Sequence, residues 1–302
     1  MDREIRPAAV MCQKTYEKIL RQVSNWPQQP DVIQHSANSE SLLDPKILDR
    51  LAALHKFGLG HRAMLLTNGA FLKEQIAEAI LRAGVGTLMI GFDGASKEVY
   101  EAHRVRCNYE RVLTNIRNFA RLRDHFKTKL RIIIKYVRTP NNEHEVAAAF
   151  KLFGEFLDAS LDRFNDALAV DWSEKATSKR EIYHVHKVPD RRRLDHCLYF
   201  DTDLLIQSDG KVGACCWDYN LQISAGGYGN VDESDLIDIW RSEKRRKLDT
   251  AFAQQSAAIP EGCKSCIVIH EIDAIGDLMI IDRDYLESCG STSFMYQFHV
   301  IR

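Results

Sequence analysis

The sequence has no surplus of charge: 41 basic side chains stand against 42 acidic ones, a formal net charge of -1. Nucleic acid or an anionic membrane is therefore not an expected partner. No apolar run approaches the length of a membrane span, and no secretory signal opens the sequence. The composition of a small disulfide-stapled domain is missing too, so the eight cysteines point to a reducing cytoplasm and to metal ligation. What the chain does have is bulk. Its 302 residues, 45% hydrophobic, can bury one large or two modest domains.

The cysteines concentrate between Cys197 and Cys266. Seventeen residues separate Cys197 from Cys215, and forty-seven separate Cys215 from Cys263. A turn at Asp209-Gly210 would fold Cys215 back beside the segment carrying Cys197, and Cys263-x-x-Cys266 offers two thiolates from one tight loop. Four soft ligands then converge. Their type suits a structural zinc site and an iron-sulfur cluster equally, and ligand chemistry alone does not separate the two. Plain buried thiols are the bland alternative. Adjacent cysteines in a strand point to opposite faces, so only one of Cys215 and Cys216 is expected to bind.

This stretch resembles a known domain. Asp209-Gly210, Cys215-Cys216-Trp217-Asp218, Gly229-Asn230, Leu236, Ile239-Trp240, Arg245 and Cys263-x-x-Cys266 are similar to the SPASM or twitch domain appended to radical S-adenosylmethionine enzymes. The resemblance implies an auxiliary four-iron four-sulfur cluster on Cys197, Cys215, Cys263 and Cys266.

Upstream, helical and strand patterns alternate. Tyr16, Ile19, Leu20 and Val23 mark one helix face, and Asp31 to Gln34 reads as a short strand. Leu48, Leu51 and Leu54 mark a second helix, and Ala63 to Leu66 a strand ending in Thr67-Asn68-Gly69. Ile76, Ile80 and Leu81 precede the strand from Thr87 to Phe92. Tyr109, Val112, Leu113, Ile116 and Phe119 stripe a longer helix. Leu130 to Val137 is the clearest strand. Asn142 and Glu145 read as a capping box for a helix with Val146, Phe150 and Phe153 on its apolar face. A last strand is expected from Ala167 to Val170. The alternation predicts an α/β fold of about five parallel units between residues 12 and 171, with ligands at the carboxyl edge of the strands.

The loops at that edge resemble those of the radical S-adenosylmethionine barrel. Glu40-Ser41-Leu42-Leu43 is similar to a GEPLL segment that meets the methionyl amino group. Thr67-Asn68-Gly69 matches a TNG motif, and Gly91-Phe92-Asp93-Gly94 is similar to an SIDG sequence that approaches the ribose. Tyr100, Arg104 and Cys107-Asn108-Tyr109 match the segment that follows. Taken alone, each tripeptide is ordinary turn chemistry; their order and spacing carry the resemblance. It implies Glu40, Thr67, Asn68 and Asp93 as cofactor-binding residues, with Lys135 a further candidate for the cofactor carboxylate.

The departures are as specific. The CxxxCxxC loop that would hold the catalytic cluster does not occur in the 302 residues, and Cys12 stands alone. Ser39 replaces a Gly, Ser41 a Pro and Gly91 a Ser. The expectation is a partial (βα)6-type barrel lacking its first strand over residues 1–171, then a linker (172–196), a SPASM/twitch domain with a hairpin and a helix (197–270) and a tail (271–302). A complete form would hold a second four-iron four-sulfur cluster, take electrons from a flavodoxin or ferredoxin, and cleave S-adenosylmethionine to a radical acting on a peptide, sugar or small metabolite. As given, the chain is expected to be truncated and inactive. The competing expectation is a non-catalytic iron-sulfur or zinc scaffold. The basic runs Arg191 to Arg193 and Lys244 to Lys247 are expected to be solvated, and Cys107 and Cys289 packed.

Overall fold

A computed structural model describes residues 9–36, 39–169, 197–264 and 266. The expected linker, the tail with Cys289, the run Arg191 to Arg193 and the histidines at 184, 186 and 270 lie outside the described residues.

The N-terminal half runs α1 (Gln13–Ser24), β1 (Ile33–Gln34), α2 (Ile47–Lys56), β2 (Ala63–Thr67), α3 (Glu74–Arg82), β3 (Thr87–Gly91), α4 (Lys97–His103), α5 (Tyr109–Phe126), β4 (Arg131–Arg138), α6 (Val146–Gly154) and β5 (Arg163–Leu168). The five strands form one parallel sheet in the order β1-β2-β3-β4-β5. This is the fold of a TIM-like barrel wall. Period-2 alternation divides its faces: Leu65, Leu88, Ile90, Ile132 and Ile134 are buried beneath the helices. Each such side chain contributes about 1.5–3 kcal/mol of burial. The opposite face carries Leu66, Met89, Ile133, Lys135 and Asn165, all half-buried.

Three details differ from the pattern in the sequence. On α2 the buried stripe is Ile47, Leu51 and Leu54, with Leu48 exposed, because Arg50 takes an inward position. Its guanidinium, 1% exposed, donates to Asp44, Gln13 and the Met11 carbonyl and lies over the Tyr16 ring, so it holds the segment leading into α1. The last strand starts at Arg163, four residues before the expected Ala167, because pairing with Ile133 begins there. Asn142 and Glu145 do not form a capping box. Both are drawn across to the β3 loop, and a 3-10 turn at Glu143–Glu145 precedes α6.

The C-terminal half has α7 (Leu198–Thr202), the hairpin β6 (Leu205–Ile206) and β7 (Val212–Gly213), α8 (Leu236–Trp240), α9 (Glu243–Ala253) and α10 (Glu261–Lys264). Gly210, at φ +80°, makes the hairpin turn that Asp209-Gly210 predicts. The two halves join through α1: Thr15 Oγ1 donates to Asp232 at 2.8 Å, and Gln22 Oε1 accepts from the Leu236 amide at 2.7 Å. Among the described residues no helix is long and apolar enough to cross a membrane.

Candidate functional site

The carboxyl edge of the sheet brings the expected loops together. After β1, Glu40 caps the turn Ser41–Leu43 by accepting from the Leu42 amide at 3.1 Å. Its other oxygen accepts from the Asn68 amide at 2.7 Å, so one carboxylate joins the first loop to the second. Thr67 and Asn68 shape that second loop: the Thr67 hydroxyl accepts from Gly69 at 3.0 Å and the Asn68 side chain from Ala70 at 2.9 Å.

Asp93 follows β3. Its Oδ1 accepts from the Val137 amide at 2.8 Å, and its Oδ2 lies 2.7 Å from Arg104 Nε. Lys135 is in register with Gly91; its carbonyl accepts from the Phe92 amide at 3.0 Å, and its side chain makes no hydrogen bond or ion pair with the described residues. Burial holds its ammonium below the usual lysine pKa, against the opposing pull of Asp93 and with Arg104 adding to the depression.

Three residues that the motifs did not single out as site residues complete this edge. Arg104 lies against Gly91, where a Cβ would collide with its guanidinium. Asn142, fully buried, donates from Nδ2 to the carbonyls of Asp93 (3.1 Å) and Val137 (3.0 Å) and accepts from the Thr139 amide at 2.6 Å. Glu145 accepts from the amides of Ala95 (2.6 Å) and Ser96 (3.0 Å). Although burial opposes it, these bonds hold the Glu145 carboxyl below its ordinary pKa. Arg104 was legible within a matched segment; Asn142 and Glu145 carried only a helix-capping signal.

The cysteines form a second site. Cys197 precedes α7, Cys263 lies in α10, and the Cys266 amide donates to the Cys263 carbonyl at 3.2 Å. Cys215 and Cys216 are not in a strand. They occupy a turn after β7 in which the Asp218 amide returns to the Cys215 carbonyl at 2.9 Å, and adjacent side chains of a turn are not forced to opposite faces. Cys215 has Cys216, Cys263 and Cys197 as electrostatic neighbours, and Cys216 has Cys266 and Cys197. The five thiols therefore lie within electrostatic range of one another. Burial pushes Cys197 up to about 11, Cys216 to about 11 and Cys263 to about 12, and raises Cys215 as well. Among the described residues no three His, Cys, Asp or Glu side chains close on a single-ion position, and no disulfide forms.

Buried Asp218 fixes the turn, accepting from the amides of Ala214 (3.0 Å), Ile223 (2.7 Å) and Ser224 (3.1 Å). The basic run Lys244 to Lys247 is not a solvated face throughout. Arg245 is buried, stacked 3.6 Å from the Trp240 ring centroid and 4.4 Å from that of Phe200, and it donates to the Phe200 carbonyl at 2.7 Å. It thereby ties α9 to the helix after Cys197.

The chain matches the Radical SAM superfamily over residues 13–151 and SPASM, an iron-sulfur cluster-binding domain, over residues 197–267. It belongs to the radical SAM superfamily and carries a SPASM domain. No curated protein sequence matches it. Among solved structures, Streptococcus suis SuiB bound to S-adenosylmethionine is similar at 18% identity and a TM-score of 0.58, over 89% of this chain and 66% of SuiB. SuiB bound to its precursor peptide SuiA is similar at 17% identity and a TM-score of 0.57, over 89% of this chain and 65% of that one. The likeness is one of fold, and this radical SAM/SPASM chain spans about two thirds of SuiB. The family implies iron-sulfur clusters and S-adenosylmethionine. The clustered thiols, Cys197, Cys215 and Cys263 buried and Cys216 and Cys266 half-buried, fit the first, and the half-buried cation Lys135 on the open sheet face fits an anionic group of the second.

Proposed function

We propose that this radical SAM/SPASM protein holds a four-iron four-sulfur auxiliary cluster on Cys197, Cys215, Cys263 and Cys266. We further propose that it binds S-adenosylmethionine at the carboxyl edge of its sheet, in an enzyme that modifies a peptide or small molecule. The observation that carries the first part is the gathering of thiols from three separate segments, before α7, after β7 and at α10, into one electrostatically coupled cluster with Cys197, Cys215 and Cys263 buried.

In this family, S-adenosylmethionine supplies a hydrogen-abstracting radical when it is bound and reduced. The chain's own residues prepare the place. Glu40 holds the first two loops together, Thr67 and Asn68 fix the second, and Asp93, clamped by Val137 and Arg104, sets the third. Lys135 is the cation on the open face for the cofactor carboxylate, and the half-buried apolar row beside it limits water. A peptide substrate draws support from SuiB, a protein of the same fold crystallised with its precursor peptide. A flavodoxin or ferredoxin would supply electrons.

A second reading, a non-catalytic cluster or zinc scaffold, is favoured by the lack of a CxxxCxxC motif in these 302 residues. Anaerobic reconstitution with iron, sulfide and zinc analysis of the chain and of Cys263→Ala, followed by calorimetric titration with S-adenosylmethionine, tests both. About four irons and four sulfides, lost in the variant, together with S-adenosylmethionine binding, support the proposal. One zinc without sulfide, and no binding, supports the scaffold.

A further inference from the structure

Tyr228 is 7% exposed, and its hydroxyl is buried with no hydrogen-bond partner among the described residues. The backbone gives the ring little freedom. The Tyr228 amide donates to the Val212 carbonyl at 2.8 Å, and the Val212 amide donates to Gly229 at 3.0 Å, which lays this residue along β7 just before the Cys215 turn.

The ionisable groups around the phenol are Asp218, Arg245, Cys263 and Cys215. Two are engaged elsewhere. Asp218, which accepts three backbone amides, lies beyond hydrogen-bond reach of the hydroxyl, and Arg245, stacked on Trp240 and Phe200 while donating to a carbonyl, has no acceptor atom to offer it. The two cysteines remain, and both belong to the proposed ligand set. Native proteins satisfy nearly all buried polar groups, and a phenol has one proton to donate.

We propose that the Tyr228 hydroxyl donates a hydrogen bond to a sulfur of the auxiliary cluster beside Cys215 and Cys263 and thereby raises its reduction potential. The inference rests on the cluster reading above. Its sign follows from charge: the reduced cluster is the more negative, so a donor to sulfur stabilises it more than the oxidised form. Tyr228 is thus a tuning residue and not a ligand.

The test compares the anaerobically reconstituted full chain with its Tyr228→Phe variant by iron and sulfide analysis and by an EPR-monitored redox titration. Equal cluster content is expected, with the variant's midpoint more negative by roughly a tenfold shift of the reduction equilibrium, about 59 mV for one electron. Equal content with an unmoved midpoint overturns the inference and leaves the cluster reading standing. A wild-type chain that takes up no iron and sulfide removes the premise and the inference with it. If Tyr228→Phe assembles no cluster, 3,5-difluorotyrosine at position 228 decides. This stronger donor of nearly the same shape moves the midpoint positive, and an unmoved midpoint overturns the inference.

Discussion

The guanidinium of Arg104 fills the space in which residue 91 would carry a side chain. A Cβ on Gly91 would stand 3.0 Å from the Arg104 Cζ and collide with Nη2, so the glycine and the ion pair of Arg104 with Asp93 are one arrangement. Gly91→Ser, the residue that the resembling motif carries, is therefore expected to push Arg104 off Asp93. The loss is about 1 kcal/mol for a partly exposed pair, or a Tm lower by about 2–4 °C. Affinity for S-adenosylmethionine should fall with it. Differential scanning fluorimetry with and without the cofactor checks this; an unchanged Tm and unchanged affinity would show that Arg104 has room to spare.

Asn142 ties the loop after β3 to the end of β4. Asn142→Ala leaves the Thr139 amide and two carbonyls without their partner in a fully buried position. A cost of about 2–4 kcal/mol is expected from these stranded groups. Urea denaturation reads it as a lower midpoint at unchanged m-value.

Reconstitution distinguishes Cys215 from Cys216, which both face the other thiols. After reconstitution, Cys215→Ala is expected to lose most of its iron and sulfide, as Cys197→Ala and Cys266→Ala do, whereas Cys216→Ala keeps about four irons. The reverse result for the pair at 215 and 216 would assign the ligand to Cys216.

Without metal, the buried thiols stay protonated at neutral pH, since burial lifts Cys197 to about 11 and Cys263 to about 12 from an ordinary value of 9.0. Cys12 behaves oppositely. It is exposed at the start of α1, and a hydrogen bond shared with the Thr15 hydroxyl, together with one donated by the Thr15 amide, holds its pKa below the ordinary value. Iodoacetamide at pH 8 should alkylate Cys12 before any cysteine of the pocket, as peptide mass spectrometry would show. The raised thiols bind protons more tightly folded than unfolded. Their contribution to metal-free stability is therefore complete below pH 9, falls as pH rises through the folded values of about 11 to 12, and should appear as a declining Tm in alkaline melts.

Parts of the site were legible because they depend on local chemistry. Thr67-Asn68-Gly69 makes its turn from its own side chains, and Asp209-Gly210 turns the hairpin because glycine tolerates the φ of +80° that the turn requires. Asn142 and Glu145 misled for the converse reason. Their spacing is that of a cap, but the donors and acceptors that claim them belong to the β3 loop, some fifty residues away in sequence. Arg245 sits in a run of basic residues and is buried, since the rings of Trp240 and Phe200 offer a flat guanidinium more than water does at that position.

By itself the sequence determined the parallel α/β alternation, the hairpin turn and the concentration of cysteines between Cys197 and Cys266, because hydrophobic period, turn residues and thiol spacing are local properties. Only the tertiary structure decided that Gly91 makes room for Arg104, that both Cys215 and Cys216 come within electrostatic range of the other thiols, and that the Tyr228 hydroxyl is buried without a partner, with Cys215 and Cys263 among its ionisable neighbours. Each of these depends on which distant segments share a small volume, and packing, not spacing along the chain, sets that.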